Sequence, residues 1–295
     1  MGKKSRKSKE ERVAKLQAKA AQVAFVRRPY EGLHGEADLV AMRELVPAAT
    51  ATVKLTEEHG GEEATVATLL PAAWQAMRRN DGKLFLGLQT PVSSSDLSRD
   101  AAAALLKVAD SAAGTSEAGG SSPGTGPRLQ DILDPEFGWK VTVHETFDYW
   151  LPEAVGDSDY DEEVKASLDQ ANETISPTER LASVESAYWT MIGGRTYLRW
   201  ALTDDEEKVL DAFARLHNAG KNTMGEGSRY LGCFRAHGIV VPVWELEHGT
   251  QADDVEEAAK TFDAELKAAL AEDGNLNADE RRARAGVVSR QLTLR

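Results

Sequence analysis

Lysine and arginine side chains crowd the first 28 residues of this chain, and cations at such density bind phosphate groups. Ten of these residues are basic and two, Glu10 and Glu11, are acidic, so residues 1–28 carry a net charge of +8. The whole chain carries −13, which leaves −21 on the other 267 residues. A basic arm on an acidic body is typical of proteins that contact nucleic acid or another anionic surface. The predicted phosphate contacts are Lys3, Lys4, Arg6, Lys7, Lys9, Arg12, Lys15 and Lys19.

The C-terminal segment is a second basic region. Residues 280–295 hold five arginines and one glutamate, a net charge of +4, so residues 29–279 sum to −25. We predict that Arg281, Arg282 and Arg284 also bind nucleic acid. The alternative is that they pair with acids of the protein itself, because a body of this charge offers many partners.

Three titratable residues lie close together in one short segment. His144, Glu145 and Asp148 stand among aromatic residues, a composition that a metal site or an acid–base pair can use. Alternate residues of a strand face opposite sides, so His144 and Glu145 converge only if a turn separates them. These three are the candidate catalytic residues, and a structural role is the favoured alternative.

Two other features have weaker chemical interpretations. Cys233 is a candidate nucleophile with His217 or His237 as its base, but a lone cysteine in an apolar strand is more often a buried hydrophobic residue. The glycine-containing loop 225–229 leads into a strand, so it lacks the helix N-terminus that binds phosphate. We favour structural roles for both.

The acidic run at 157–163 has the first part of a calcium-loop pattern. Its first, third and fifth positions are aspartates, but the sixth is Glu162 where the loop needs glycine, and the twelfth is Leu168 where it needs glutamate. We therefore expect a solvated loop before a helix N-terminus. No metal site and no cofactor are predicted for the chain.

The arm has the pattern of a helix. Val13, Leu16, Ala20 and Val23 recur at helical spacing within residues 9–24, which predicts a thin apolar stripe beside the lysines. This stripe is expected to dock on protein while the cations contact phosphate.

Two hairpins are predicted in the second half of the chain. Ala187–Ile192 and Arg195–Trp200 are rich in β-branched and aromatic residues and are joined by Gly-Gly, which favours a type I′ turn. Tyr230–Phe234 and Ile239–Leu246 form a similar pair around 236–238.

A helix is predicted to follow each hairpin. Thr203 with Glu206, and Thr250 with Asp253, have the spacing of capping boxes. Gly220 has the position of a helix stop.

The same strand–strand–helix order is predicted in two further segments. One unit uses Lys140–Val143, Phe147–Leu151 and a helix near 161–173. The other uses a segment near 65–79, a turn at 80–82, the strand Lys83–Gln89 and a helix at 96–111. These ββα-like units predict an α+β fold with antiparallel sheets and helices on one face. An internal duplication is a hypothesis that requires the same strand order in every unit.

Composition also sets the domain plan and the compartment. Residues 113–127 are rich in Gly, Ser, Thr and Pro, which predicts a flexible linker between regions 29–112 and 128–295, with 1–28 as the arm. A single cysteine permits no intrachain disulfide and favours the reducing cytoplasm. No apolar run is long enough for a membrane span, and the N-terminus lacks the apolar core of a signal peptide.

The body resembles an uncharacterised actinobacterial domain family. The similarity rests on residues 28–51, 126–138, the Ala187-Tyr188-Trp189 stretch, 229–246 and 278–295. Members of that family often carry a zinc-binding SEC-C motif before the domain, the motif found at the C-terminus of the SecA translocase. Residues 1–27 contain no Cys or His, so this chain lacks the motif. The resemblance implies no known activity.

Three functions are compatible with these patterns. The first is a cytoplasmic, non-enzymatic accessory protein that binds RNA or the ribosome through the arm. The second is an enzyme of unrecognised type with a pocket between the two α+β regions. The third is a protein-binding module whose acidic body contacts a basic partner.

Overall fold

The computed structural model describes residues 25–120, 125–152 and 162–289. The predicted helix at 9–24, the phosphate contacts from Lys3 to Lys19 and the acidic run as far as residue 161 lie outside this part. The helices are α1 (Glu36–Glu44), α2 (Leu97–Ala109), α3 (Leu129–Ile132), α4 (Glu162–Asn172), α5 (Glu206–Asn218), α6 (Ala252–Leu270) and α7 (Ala278–Ser289). None of these helices is both long and apolar enough to cross a bilayer.

Six strands form the first sheet, in the order β5-β3-β4-β2-β1-β6. Their bounds are β1 (Ala49–Lys54), β2 (Glu63–Ala67), β3 (Ala76–Arg78), β4 (Leu84–Gly87), β5 (Ser116–Glu117) and β6 (Val141–Val143). The pairs are antiparallel except β2 with β4, where Ala64 lies opposite Leu84 in parallel register. The prediction of antiparallel sheets is correct but for this pair, which arises because β3 lies outside β4 and the chain returns inward to β2.

Five antiparallel strands form the second sheet, in the order β10-β11-β9-β8-β7. Their bounds are β7 (Thr178–Arg180), β8 (Ala187–Ile192), β9 (Arg195–Trp200), β10 (Arg229–Ala236) and β11 (Ile239–Glu245). Gly193 and Gly194 have φ of 57° and 76°, as the predicted type I′ turn requires. The hairpin at 229–245 is also confirmed.

Helix α1 is buried on nearly all sides between the two sheets. Leu39, Val40, Ala41 and Met42 are at most 1% exposed, and they share one core with the inward residues of the first sheet and one face of the second. Strand β11 shows the division by alternation. Its Ile239, Val241 and Val243 belong to the core around α1, whereas Val240 and Trp244 belong to a second core with α5 and α6. The fold is α+β, as predicted.

The predicted caps are displaced by one or two residues. Helix α5 begins after Asp205, whose carboxylate accepts from the backbone of Glu207 and Lys208, and not at Thr203. The box of α6 consists of Gln251 and Asp254. Both sites lie in runs where several polar residues compete for the cap, and spacing alone does not choose among them.

The predicted strand Phe147–Leu151 is wrong. Asp148–Trp150 form a 3₁₀ turn, because this conformation lets the Tyr149 hydroxyl and the Trp150 indole both donate to the Leu69 carbonyl, at 2.9 and 2.8 Å. The unit at 140–173 therefore lacks its second strand. The hypothesis of four duplicated units fails, because a hairpin is missing from one of them.

The segment 113–127, predicted to be a flexible linker, contains β5. The Thr115 carbonyl accepts from the Arg78 backbone and the Glu117 carbonyl from the Gln75 backbone, each at 2.8 Å. Strand β6, which lies beyond this segment, joins β1. The first sheet therefore takes strands from both sides of 113–127.

Candidate functional site

The last residues of the basic arm are attached firmly to the body. Arg28 binds both carboxylate oxygens of Glu36, through Nε at 2.6 Å and Nη2 at 3.0 Å, and Nη2 also donates to the Thr203 carbonyl at 2.7 Å. Arg27 pairs with Glu206 at 2.7 Å. The backbone of Val26 donates to Ser95 at 2.8 Å. The root of the arm is thus fixed between α1 and the start of α5.

Glu36 is the main reason why the root of the arm, residues 26–28, is held tightly to the body. It opens α1 and is only 7% exposed, so its charge needs a partner. The hydrogen bond to Glu36 is the main cause that raises the pKa of Arg28. Two of the ten arm cations, Arg27 and Arg28, are therefore committed to the body.

The C-terminal arginines have partners of their own. Arg284 binds Asp211 at 2.6 Å and Glu207 at 2.5 Å on α5. Arg282 pairs with Asp279, and Arg281 donates to the Leu276 carbonyl. These contacts fit the alternative that the arginines pair within the protein, and the predicted nucleic-acid role of Arg281, Arg282 and Arg284 stays a prediction.

The catalytic role of His144, Glu145 and Asp148 stays a prediction. His144 Nε2 lies 2.7 Å from Thr50 Oγ1, and burial lowers the pKa of His144, opposed by Asp148. Glu145 and Asp148 are exposed. Over the described residues, no group of three or more His, Cys, Asp or Glu side chains has a metal-binding arrangement.

The other two candidates have structural surroundings. Cys233 is 2% exposed in the second core, and burial raises the pKa of its thiol. Arg229, at the end of the 225–229 loop, binds Glu245 at 2.6 Å. The favoured structural interpretation fits both.

A groove that sequence reasoning missed lies at the C-terminal end of α1. It has a volume of about 580 Å³ and is lined by the end of α1, by loops next to the first sheet and by strands β8 and β9 of the second sheet. Arg43, in the last turn of α1, and Arg199, on β9, bring two guanidinium groups into its wall. No sequence motif links these two residues, and only the packing of α1 between the sheets brings them together.

Arg199 is half-buried and has no acidic partner among the described residues. Its Nη2 donates to the Leu45 carbonyl at 2.8 Å, whereas its Nε is buried and lacks a hydrogen bond there. Burial alone lowers the pKa of Arg199 to about 10. The Leu45 carbonyl is one of the last of α1, so Arg199 also caps this helix.

Arg43 is likewise only partly satisfied. One of its terminal nitrogens donates to the Leu88 carbonyl. Its Nε has no hydrogen bond to the part of the chain that the structure describes, and it lies 3.5 Å from Glu44 Oε1. Glu44 in turn binds His237 Nε2 at 2.7 Å. This hydrogen bond is the main cause that lowers the pKa of Glu44, against the effect of burial.

The rim of the groove includes strained backbone. Ala72 and Ala73 have φ of 51° and 53°, and Ala73 lines the groove. A left-handed conformation costs an L-residue roughly 1–2 kcal/mol, and such strain clusters at functional sites.

A second cavity of about 490 Å³ has a different character. Arg180, Asp204, Asp263 and Lys267 lie in its wall. Lys267 binds Asp263 at 2.6 Å, and Arg180 binds Asp38 at 3.3 Å. Both basic residues of this wall are therefore already paired with carboxylates of the protein.

Comparison with known proteins places the chain in a family. The sequence profile of DUF5926, a family of unknown function, matches residues 29–295, and the chain belongs to this family. The search of curated proteins gave no match, and neither did the search of solved structures. The matched segment begins one residue after Arg28, so the arm precedes the shared domain.

Proposed function

We propose that this member of the DUF5926 family is a cytoplasmic, non-enzymatic accessory protein that binds RNA, on the ribosome, through its basic arm. The observation that carries the proposal is the separation of charge. Residues 1–28 carry +8 and the other 267 residues −21. An acidic body disfavours indiscriminate contact with nucleic acid, so binding is confined to the arm.

The root of the arm supports this division of roles. Arg27 and Arg28 are held by Glu206 and Glu36, so these cations are engaged before RNA arrives. The eight cations from Lys3 to Lys19 come before the docked root. These contacts, with the backbone bond of Val26, hold the last residues of the arm against the body.

Salt dependence of RNA binding tests the proposal. We expect the affinity of the full chain for a labelled single-stranded RNA to fall steeply with salt, with a slope of log K against log salt near −0.7 for each phosphate contact. If Lys3 and Lys4 both contact phosphate, replacing both with Gln lowers the magnitude of the slope by about 1.4.

The matched control removes the same charge from the body. Lys208 and Lys260 are exposed on α5 and α6, and replacing both with Gln is expected to leave the slope unchanged. Equal loss in both variants, or salt-insensitive binding by the full chain, contradicts the proposal.

A further inference from the structure

We propose that the groove at the end of α1 binds a small molecule that carries one oxyanion group, a phosphate or a carboxylate, beside an apolar portion. Arg43 and Arg199 are the anion's partners. This inference is independent of the RNA-binding arm, because the groove is built from residues of the family domain.

The charge count of the groove favours an anion. Among the described lining residues, Arg43 and Arg199 bring two positive charges and Glu44 one negative charge. The helix end adds about half a negative charge. The two positive charges of the arginines exceed the combined negative charge of Glu44 and the helix end. Glu44 is also engaged by its hydrogen bond with His237.

The hydrogen-bonding state of Arg199 points the same way. A guanidinium has five N–H donors, and one bond from Arg199, to the Leu45 carbonyl, is formed with the described residues. Its Nη1 has no hydrogen bond to the described residues and is not among the buried unsatisfied atoms, so this donor is accessible on a residue that lines the groove. Capping of α1 uses Nη2 and leaves Nη1 free for an oxyanion.

The other wall of the groove is apolar. Pro47, Pro91 and Ile192 line it, and Ile192 is a large hydrophobic residue with 45% exposure. A volume of about 580 Å³ lies within the usual range of roughly 300–1,000 Å³ for small-molecule sites. An apolar group next to the anion would cover this wall.

The strained rim supports a binding role. Ala72 and Ala73 hold left-handed conformations that the fold must stabilise from elsewhere. The turn that contains them sets Ala73 against the groove. The strained turn therefore places Ala73 at the rim of the groove.

Four matched probes test the inference on the full chain by titration calorimetry. Phenyl phosphate and benzoate carry both features, inorganic phosphate carries only the anion, and benzyl alcohol only the ring. We expect one of the two aromatic anions to bind with a Kd below about 1 mM, at least about tenfold tighter than either single-feature probe. The preferred aromatic anion identifies the anionic group. Absence of binding by both, or equal binding by a single-feature probe, overturns the inference.

Substitutions then locate the site. Ile192→Glu adds a negative charge at an exposed position on the rim, and Ile192→Gln is its neutral control. We expect the Glu variant to bind at least about tenfold more weakly than the Gln variant. Arg199→Met is expected to abolish binding. Equal affinity of the two Ile192 variants contradicts the location, and this result is readable even if Arg199→Met fails to fold.

Discussion

Tyr188 donates its hydroxyl hydrogen to Asp38 Oδ1 at 2.7 Å, and this bond joins the second sheet to the helix between the sheets. Asp38 is 3% exposed. Its carboxylate also accepts from Trp139 Nε1 at 3.1 Å and from Arg180 Nη2 at 3.3 Å. One carboxylate on α1 therefore connects three other segments of the chain.

We predict that Tyr188→Phe lowers the free energy of unfolding by about 1–3 kcal/mol, because it removes a hydrogen bond to a charged acceptor. Asp38→Ala is expected to cost more, about 3–5 kcal/mol, because it leaves the Arg180 charge without its buried partner. Urea denaturation of the full chain measures both. A smaller loss for Asp38→Ala than for Tyr188→Phe would show that the network is not held by the carboxylate.

The two arginines at the root of the arm should differ in their effect on stability. Arg28→Ala leaves the buried carboxylate of Glu36 unpaired, and we expect a loss of about 2–4 kcal/mol. Arg27 is 72% exposed, so Arg27→Ala is expected to cost less than about 1 kcal/mol. Denaturation curves of the two variants serve as mutual controls. Equal effects would mean that Arg28 does not anchor the arm.

Alanine substitutions at two glycines distinguish the cost of backbone strain from the cost of steric overlap. Gly32 and Gly35 have φ of 79° and 76°. Replacing either by alanine is therefore expected to cost a similar backbone strain energy of roughly 1–2 kcal/mol. A Cβ at Gly32 meets open space, whereas a Cβ at Gly35 overlaps the Trp139 ring. We expect Gly35→Ala to cost at least about 1 kcal/mol more in unfolding free energy.

Tryptophan fluorescence gives a second readout for the Gly35 variant. The displaced Trp139 ring would lose its hydrogen bond to Asp38, so we expect the emission spectrum to change in Gly35→Ala and not in Gly32→Ala. Unchanged emission in both variants would argue against the close packing of this ring.

Acid should weaken the contact between Glu44 and His237. Because the folded-state pKa of Glu44 lies below its ordinary value of 4.5, ionised Glu44 stabilises the fold above that pH, and the contribution is lost as pH falls through the folded pKa. We expect Glu44→Gln to be less stable than the unaltered chain at about pH 6 and to approach it at about pH 3. Urea denaturation at both values measures the difference, and a constant gap across the range would contradict the assignment.

The hairpins were predictable because their signals are local. Gly193-Gly194 fixes the turn between β8 and β9, and β11 is a continuous apolar run, as expected for a strand that is buried on both faces. Helix α1 gave no comparable signal. Four of its nine residues, Glu36, Asp38, Arg43 and Glu44, are charged. Glu36 and Asp38 are nevertheless buried, so the charged residues do not mark one solvent-facing side as they do on a surface helix.

The arm, like the hairpins, has a local sequence signal, whereas the groove, like α1, does not. The arm is visible as a run of charge in the first 28 residues. The groove depends on Arg43 and Arg199, which are 156 positions apart in the chain, and Arg199 alone has the pattern of any polar residue on a strand. Its partial burial follows from its contact with the end of α1, which residue spacing does not reveal.

Sedimentation with ribosomes through a sucrose gradient tests the central claim most directly. The full chain is compared at low salt with a full-length variant in which the eight cations from Lys3 to Lys19 are replaced by Gln, so that the docked root stays intact. We predict that the unaltered chain travels with the ribosomes and leaves them as salt rises, and that the variant stays at the top. If both proteins stay at the top, or both travel with the ribosomes, the arm does not carry the binding.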